Sequence, residues 1–264
     1  MKPGKKLRCA AIGVGRMGQH HARVYAELPD VELVGVYDAN VDRAREIAER
    51  HGCPVLETID DVVKARPDAV SIAVPTIYHR ETAEPLLRAG VACLIEKPLA
   101  QDPEEAEAIK KVADESGSLL MVGHIERFNP IMRALTRATA EGLDLTPRFI
   151  EVHRVSPMTF RSVDIGVVMD MGIHDLDVVI MLMGGREPDR VEASGVPVVT
   201  EHEDLCNARL TWDMPAEQGG GVCVANMTFS RLALKTERLT RITAEDAYIK
   251  IDYAKKTGTL IRRL

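Results

Sequence analysis

The sequence predicts an α/β protein with a doubly wound parallel sheet first and an α/β domain with an open, mostly antiparallel sheet after it. Apolar runs alternate with helical stretches from residue 7 to about residue 122, which is typical of parallel sheets with right-handed crossovers. Beyond about residue 127, successive strands are joined by short turns, which indicates antiparallel pairing. We therefore expect one domain over residues 1–124 and a second over residues 125–264.

The first domain is expected to alternate strand and helix throughout. The run at residues 7–12 is apolar except for Arg8 and is bounded by Gly13, which favours a strand buried on both faces. Pro103 lies where the first turn of a helix tolerates proline. The same patterns predict strands at residues 7–12, 31–37, 69–74, 91–95 and 119–122, and helices at residues 17–28, 43–51, 58–65, 81–89 and 103–115.

The second domain is expected to be rich in strands. A helix at residues 129–141 precedes them, and a largely apolar helix at residues 167–183 interrupts them. The dipeptide Glu245-Asp246 is typical of a hairpin turn. Strands are predicted at residues 148–155, 190–199, 205–212, 222–229, 238–243 and 247–253.

Composition excludes several classes of function. A formal net charge of -6 argues against nucleic-acid binding, and no apolar stretch approaches the ~18 residues of a membrane span. The basic N-terminal residues precede no long apolar segment, so a secretory signal is not expected. The five cysteines are scattered without a C-x-x-C pair, which predicts reduced thiols, a cytoplasmic location and no metal site.

A glycine-rich turn is the first candidate binding motif. Residues 13–18, Gly-Val-Gly-Arg-Met-Gly, follow an apolar strand, open a helix and fit the G-x-G-x-x-G pattern. Asp38 ends the next strand, where a carboxylate accepts hydrogen bonds from the adenosine ribose. A structural turn without a ligand is the alternative. We expect a dinucleotide to be held by Gly13, Gly15, Arg16, Met17, Gly18 and Asp38.

Asp38 also predicts which dinucleotide is used. A carboxylate at this position repels the 2'-phosphate of NADP, so NAD is expected and NADP is less favoured. Arg43, on the following helix, is the nearby cation that could favour NADP.

The tripeptide Glu96-Lys97-Pro98 follows the apolar run at residues 91–95. Ligands of doubly wound sheets collect at the carboxyl ends of the strands, so we expect Lys97 to lie where the nicotinamide binds and Glu96 to belong to the cofactor site. Pro75, Thr76 and His79 follow the preceding strand and are expected to line the same crevice. The alternative for Lys97 is a surface lysine at a strand end.

Polar residues interrupt the apolar helix at residues 167–183. Asp170, His174 and Asp177 have the i, i+4, i+7 spacing of one helical face. Burying carboxylates without partners is costly, so this stripe is expected to face a polar cleft, although a hydrogen-bonded structural pair is the alternative. An aspartate one turn from a histidine can orient its ring as a general base.

Three motifs in order resemble those of the Gfo/Idh/MocA oxidoreductases: the glycine turn, Glu96-Lys97-Pro98 and Gly166-x-x-x-Asp170-x-x-x-His174. The resemblance runs to about residue 253. It implies an N-terminal Rossmann domain and a second domain that binds substrate and whose open sheet forms homodimers or homotetramers. It also implies that Lys97, Asp170 and His174 are catalytic. Family members usually continue beyond the point where this chain stops, so a shortened second domain is expected.

Two segments are similar to a branch of that family that acts on UDP-N-acetylhexosamines, residues 123–130 and residues 164–170. This similarity implies a sugar or nucleotide-sugar substrate, oxidised at C3 in the latter case. Arginine forms bidentate contacts with phosphate oxygens, although an exposed arginine is more often simply solvated. The expected substrate residues are Arg127, Arg154, Arg161 and Asp177.

The predicted reaction is oxidation of a secondary sugar hydroxyl with hydride transfer to NAD. His174 takes the hydroxyl proton, Lys97 stabilises charge on the oxygen, and Asp170 orients His174. A free-sugar or inositol dehydrogenase is the second hypothesis. A non-catalytic NAD- or sugar-sensing regulator is the third, although a sensor has no chemical reason to keep all three residues.

Overall fold

The computed structural model describes residues 5–143, 145–159 and 165–262. The chain divides into two compact units, Met1–Gly123 and His124–Leu264. Each unit has its own sheet and its own apolar core. Within the described residues, no helix is long and apolar enough to span a membrane.

The first unit is built on a parallel sheet of five strands. Its strands are β1 (Leu7–Ile12), β2 (Val31–Tyr37), β3 (Ala69–Ile72), β4 (Ala92–Ile95) and β5 (Leu120–Val122). Their order is β2-β1-β3-β4-β5. Because β1 pairs with β2 on one side and β3 on the other, the direction of winding reverses at β1, the position where such sheets bind ligands.

Helices and caps connect these strands. Asn40, Thr58 and Asp102 each precede a helix and accept a hydrogen bond from a main-chain nitrogen of its first turn, which satisfies a donor that the helix itself leaves unpaired. The fourth helix begins at His79 rather than near residue 81, because a 3-10 turn at Thr76–Tyr78 leads into it. The helices are α1 (Gly18–Glu27), α2 (Val41–His51), α3 (Ile59–Lys64), α4 (His79–Arg88) and α5 (Pro103–Ser116).

The second unit carries a sheet of seven strands. They are β6 (Pro147–Val155), β7 (Arg190–Val196), β8 (Leu205–Asp213), β9 (Val222–Ser230), β10 (Glu237–Ala244), β11 (Ala247–Asp252) and β12 (Thr257–Arg262). Their order is β12-β11-β10-β6-β9-β8-β7. The pair β6–β9 is parallel and the other pairs are antiparallel. A parallel sheet followed by a mostly antiparallel one confirms the predicted fold class.

The described residues of the second unit also include the helices α6 (Pro130–Ala140) and α7 (Ile173–Leu182). The buried side chains of Val178 and Val179 on α7 belong to the same apolar cluster as Trp212 and Phe229 of the sheet. Short 3-10 turns lie at Ile125–Phe128 and Ala216–Gln218. The packed face of α7 therefore fixes the helix on which the expected catalytic histidine lies.

Three features of the second unit differ from the sequence expectation. The expected helix at residues 167–183 begins as a π-helical turn, Val168–Gly172, before α7 starts. β7 ends at Val196 rather than near residue 199, because the next main-chain nitrogens donate to the Asp204 carboxylate instead of to a strand. β12, which was not expected, pairs with β11 at the edge of the sheet.

Candidate functional site

The glycine turn after β1 is shaped by close contacts at two of its glycines. Gly13 has a φ of +76°, and a Cβ on it would lie 2.6 Å from the main-chain nitrogen of Val74. A Cβ on Gly18 would lie 1.7 Å from the carbonyl oxygen of Gly13. Around Gly15 the described part of the chain leaves open space within 4 Å of a Cβ, so a ligand can approach the backbone there. The exposed residues of the turn are Arg16 and Met17.

Asp38 is fixed by the main chain on both of its carboxylate oxygens. Oδ2 accepts a hydrogen bond of 2.8 Å from the nitrogen of Val14, inside the glycine turn. Oδ1 accepts one of 2.9 Å from the nitrogen of Asn40. Since each carboxylate oxygen has a further lone pair, Asp38 retains capacity to accept hydrogen bonds from ribose hydroxyls.

Arg43 lies against the same turn. Its Nε donates to the carbonyl oxygen of Val14 at 2.9 Å, and its guanidinium pairs with Glu46 at 2.5 Å. These contacts direct the guanidinium towards the turn backbone and a carboxylate. They neutralise part of the positive charge that a 2'-phosphate would require.

Lys97 is half-buried just beyond the carboxyl end of β4, followed by a cis peptide bond to Pro98. The neighbouring Glu96 carboxylate lies 2.9 Å from Nε2 of His21 and accepts a hydrogen bond of 3.3 Å from the Lys97 nitrogen. Burial would raise the pKa of Glu96, but His21 and the Lys97 nitrogen outweigh it and hold that pKa below its usual value. Glu96 is therefore charged. No motif in the sequence singles out His21.

The residues after β3 divide into exposed and buried positions. Pro75 is exposed and Thr76 is half-buried, whereas His79 is 1% exposed. The two ring nitrogens of His79 lie 3.0 and 3.1 Å from the carbonyl oxygens of Val74 and Leu99, and burial lowers its pKa. A neutral imidazole has one N–H, so His79 donates to one of these carbonyls, and its buried ring lies between the loop after β3 and the loop after Lys97.

Asp170 and His174 lie on the π-helical turn and at the start of α7, and both are half-buried. The segment before them is held by the loop at residues 203–204. Val167 donates to the Glu203 carbonyl at 2.9 Å, and Val168 donates to the Glu203 carboxylate at 3.3 Å. Arg231 donates to the carbonyl of Ile165 at 2.6 Å. A histidine and an aspartate one turn apart are thus presented on an anchored segment.

Asp177, one turn further along α7, is engaged by Arg127. The guanidinium donates to both carboxylate oxygens, at 2.7 Å from Nε and 2.5 Å from the terminal nitrogen. This hydrogen bonding raises the pKa of Arg127. The Arg127 side chain is 46% exposed and that of Asp177 only 7%, so Arg127 keeps an accessible edge while Asp177 orients it.

Arg154, which was expected to contact a substrate diphosphate, is buried inside the second unit. It is 3% exposed, and its guanidinium forms a bidentate pair with Asp175 and a contact of 3.2 Å with Glu126. Burial would lower the pKa of Arg154, but these two carboxylates outweigh it and raise that pKa. Within the second unit Arg154 neutralises two buried carboxylates, that of Asp175 on α7 and that of Glu126. Arg161 lies outside the described residues.

Asp175, which is 1% exposed on α7, was not predicted from the sequence to be a functional or structural partner of Arg154. One signal was available. Arg154 is in phase with Ile150 and Val152 on the buried face of β6, so its charge required a buried partner.

The described residues offer two separate chemistries. The first unit supplies a glycine turn with a fixed carboxylate, and a lysine at the end of a neighbouring strand. The second supplies a histidine with an aspartate one turn before it. Among the residues that the structure describes, no group of three His, Cys, Asp or Glu is placed to hold a metal ion.

Comparison with known proteins places this chain among NAD-binding oxidoreductases. The model of the oxidoreductase family with an NAD-binding Rossmann fold matches residues 7–124. The UDP-N-acetylglucosamine 3-dehydrogenase of Acidithiobacillus ferrooxidans is 39% identical over 257 residues, which cover 97% of this chain and 77% of that protein. The inositol 2-dehydrogenase of Rhizobium meliloti is 35% identical over 203 residues, 73% of this chain and 59% of that protein.

Solved structures give the same grouping. The A. ferrooxidans enzyme superimposes with a TM-score of 0.87 over 97% of this chain and 80% of its own. The WlbA dehydrogenase of Bordetella pertussis, solved with NADH and UDP-GlcNAcA, has a TM-score of 0.83, 21% identity, and coverage of 94% of this chain and 74% of its own. The latter likeness is one of fold.

Proposed function

Because this chain belongs to the Gfo/Idh/MocA family of oxidoreductases, we propose that it uses NAD to oxidise a secondary hydroxyl of a UDP-N-acetylhexosamine, at C3 of the sugar. Membership of the family makes it an oxidoreductase, and a sugar dehydrogenase is the class that its relatives support. The observation that carries the substrate proposal is the 39% identity to a UDP-N-acetylglucosamine 3-dehydrogenase over 97% of the chain.

The residues of the first unit fit a dinucleotide. The open backbone at Gly15 and the N-terminus of α1 suit a diphosphate, and Asp38 suits the adenosine ribose. When bound, NAD supplies the hydride acceptor. We favour NAD over NADP because Asp38 is a carboxylate and Arg43 is already paired with Glu46.

Each catalytic candidate has one chemical role. His174 would accept the proton of the substrate hydroxyl group while the carbon that bears this hydroxyl loses a hydride to the nicotinamide. Lys97 would donate a hydrogen bond to that oxygen and stabilise the negative charge that develops on it. Asp170 would orient the imidazole of His174, and Arg127, held by Asp177, would contact an anionic group of the substrate.

Assembly and location extend the proposal. We expect a homodimer or homotetramer that uses the open face of the seven-stranded sheet, where β8 exposes Asn207 and Arg209. The free cysteines favour a reducing, cytoplasmic compartment. Light scattering of the purified chain measures the oligomeric number directly.

An inositol or free-sugar dehydrogenase is the second candidate, favoured by the 35% identity to an inositol 2-dehydrogenase. That relative is longer, and the chain spans 59% of it. A non-catalytic sensor is disfavoured, because the chain belongs to an oxidoreductase family and has Lys97, Asp170 and His174.

The decisive experiment offers purified protein NAD with UDP-N-acetylglucosamine, N-acetylglucosamine or myo-inositol, and follows formation of NADH. We expect turnover of the nucleotide sugar and a C3 ketone in the product by NMR. Lys97→Ala and His174→Ala should keep NAD affinity and lose turnover. Turnover of inositol alone would select the second candidate, and full activity in both variants would overturn the catalytic roles.

A further inference from the structure

A histidine on the first helix is joined to the tripeptide that carries Lys97. His21 is the fourth residue of α1, the helix that the glycine turn opens. Its Nε2 lies 2.9 Å from Oε1 of Glu96, and the two side chains are 18% and 11% exposed. The pair therefore connects the dinucleotide-binding turn with the end of β4 inside the first unit.

Other contacts hold Glu96 as well. Its Oε2 accepts a hydrogen bond from the Lys97 nitrogen at 3.3 Å, and the main-chain nitrogen of Glu96 donates to the carbonyl oxygen of Ile72 at 2.9 Å. Gly123 leaves room for it, because a Cβ there would lie 3.1 Å from Oε2. The carboxylate thus has a defined position beside the main chain of Lys97, and His21 is its side-chain partner in that position.

A charged carboxylate in a largely buried site needs its hydrogen-bond partners. Without His21, Glu96 would lose a partner at Oε1 and would reorient towards water or towards a neighbouring cation. Either movement disturbs the main chain that sets the direction of the adjacent lysine. Errors of about 1 Å in a catalytic group can cost about 100-fold in rate.

We propose that His21 is a positioning residue, which acts through Glu96 to set the orientation of Lys97. This inference rests on the proposed function in one respect, that Lys97 acts on the substrate oxygen. The competing explanation is a structural brace between α1 and the sheet, which would alter stability and leave the lysine unchanged.

The test compares two adjacent histidines. His21→Leu removes the partner of Glu96, and His20→Leu is the matched control because His20 is exposed on the same helix. His21→Gln is the conservative variant, since its side-chain amide can donate to Glu96 from near the Nε2 position. Each protein is assayed with NAD and UDP-N-acetylglucosamine, and the folded fraction is counted by calorimetric titration with NAD.

We expect His21→Leu to lower kcat per NAD-binding site about 10- to 100-fold, with little change in the Kd for NAD. His21→Gln should recover most of that loss, and His20→Leu should behave as the parent chain. In the Lys97→Ala background, His21→Leu should add almost no further loss, because the two residues act on one function. An unchanged kcat in folded His21→Leu, or a full additional loss in the double variant, would overturn the inference.

A second readout does not depend on turnover. Lysines methylated with 13C give NMR signals, and the Lys97 signal is assigned by its loss in Lys97→Arg. We expect that signal to shift in His21→Leu and to stay in place in His20→Leu; an unshifted signal in folded His21→Leu counts against positioning. A shifted signal in a chain that turns over no sugar would reject the proposed function and keep the positioning role.

Discussion

Glu203 occupies the space that a side chain at Gly166 would need: a Cβ on Gly166 would lie 1.9 Å from Oε1 of Glu203. The same oxygen accepts a hydrogen bond from the Val168 nitrogen at 3.3 Å. The hydrogen bond between Val168 and Glu203 therefore requires a residue without a side chain at position 166. Both lie at the start of the segment that carries Asp170 and His174. This contact explains why a glycine suits the first position of the third sequence motif.

We expect Gly166→Ala to lower the free energy of unfolding by about 1 kcal/mol, because the methyl group displaces the Glu203 carboxylate from its hydrogen bond to Val168. Glu203→Ala should cost about 1 kcal/mol, the usual cost of a lost helix cap. The double variant should be no less stable than Glu203→Ala alone, since the methyl group then meets no carboxylate. Urea unfolding of the four proteins measures this coupling.

Glu201→Ala is the matched control for the glutamate, because Glu201 is exposed on the same loop. It should leave the unfolding curve unchanged. Strictly additive effects of Gly166→Ala and Glu203→Ala would contradict the proposed dependence.

Asp204 gives a prediction about pH. It is fully buried, and Oδ2 accepts hydrogen bonds from the nitrogens of Val198, Val199 and Thr200. Burial alone would raise the pKa of Asp204, but these bonds outweigh it and hold that pKa far below its usual range. The stabilisation from this carboxylate is therefore complete at neutral pH and declines as pH falls below about 4 towards the folded pKa.

Asp204→Asn should accordingly be less stable than the parent chain at neutral pH, because the amide cannot reproduce the charge on the shared oxygen. The difference in unfolding free energy between the two proteins should become smaller as the pH falls below about 4. Unfolding free energies measured from neutral pH down to acidic pH test whether the difference shrinks. Glu201→Gln is the control, and a difference that widens in acid would contradict the assignment.

Continuous apolar runs and turn residues made the first unit predictable. The strands around the glycine turn were predicted because they are short, apolar and followed by helix starts. β12 was missed because Thr257–Arg262 contains only two large apolar residues, Leu260 and Ile261. A strand of that composition is defined by its partner β11 rather than by its own pattern.

The second unit shows the limits of local patterns. The stripe of Asp170, His174 and Asp177 was derived from α-helical spacing, but a π-helical turn precedes α7 and changes the phase of its first residues. Glu203 holds that turn from 35 residues away, and no local pattern indicates such a contact. Arg154 was predicted to contact a substrate diphosphate because arginine forms bidentate contacts with phosphate oxygens, and the buried carboxylates that surround it come from distant parts of the chain.

The buried pair of Arg154 and Asp175 gives a prediction about stability. Arg154→Met should lower the free energy of unfolding by about 3–5 kcal/mol, because it leaves two buried carboxylates, Asp175 and Glu126, without their cation. Arg133→Met, at an exposed position of α6, is the control and should change the free energy of unfolding little. Chemical denaturation measures both.

Kinetics of the same variant separate the two roles of Arg154. If Arg154 only neutralises buried carboxylates, the folded fraction of Arg154→Met should have the same ratio of KM values as the parent chain, where the ratio compares the nucleotide sugar with a sugar that lacks a diphosphate. A selective rise with unchanged stability would restore the original expectation of a diphosphate contact.

Asp38 combines an anchoring bond with a recognition charge, and substitution can separate the two. Asp38→Ala should weaken NAD binding about 10- to 100-fold, because it removes hydrogen bonds to a charged group together with the bond to the Val14 nitrogen. NADP binding should weaken less, since the repulsion of its 2'-phosphate is also removed. Titration calorimetry with both dinucleotides gives the ratio of Kd values.

Asp38→Asn removes the charge and keeps one of the two main-chain bonds, because its amide oxygen can still accept from Val14 while its amide nitrogen cannot accept from Asn40. The repulsion of a phosphate is lost. We expect this variant to lower the NADP-to-NAD ratio of Kd values more than it weakens NAD itself. Asp42→Ala makes the same change in charge at a side chain that is 91% exposed, so it should leave the ratio unchanged. An equal loss for both dinucleotides in Asp38→Asn would mean that Asp38 only braces the glycine turn, and Arg43, held by Glu46, would then be the residue to test for cofactor preference.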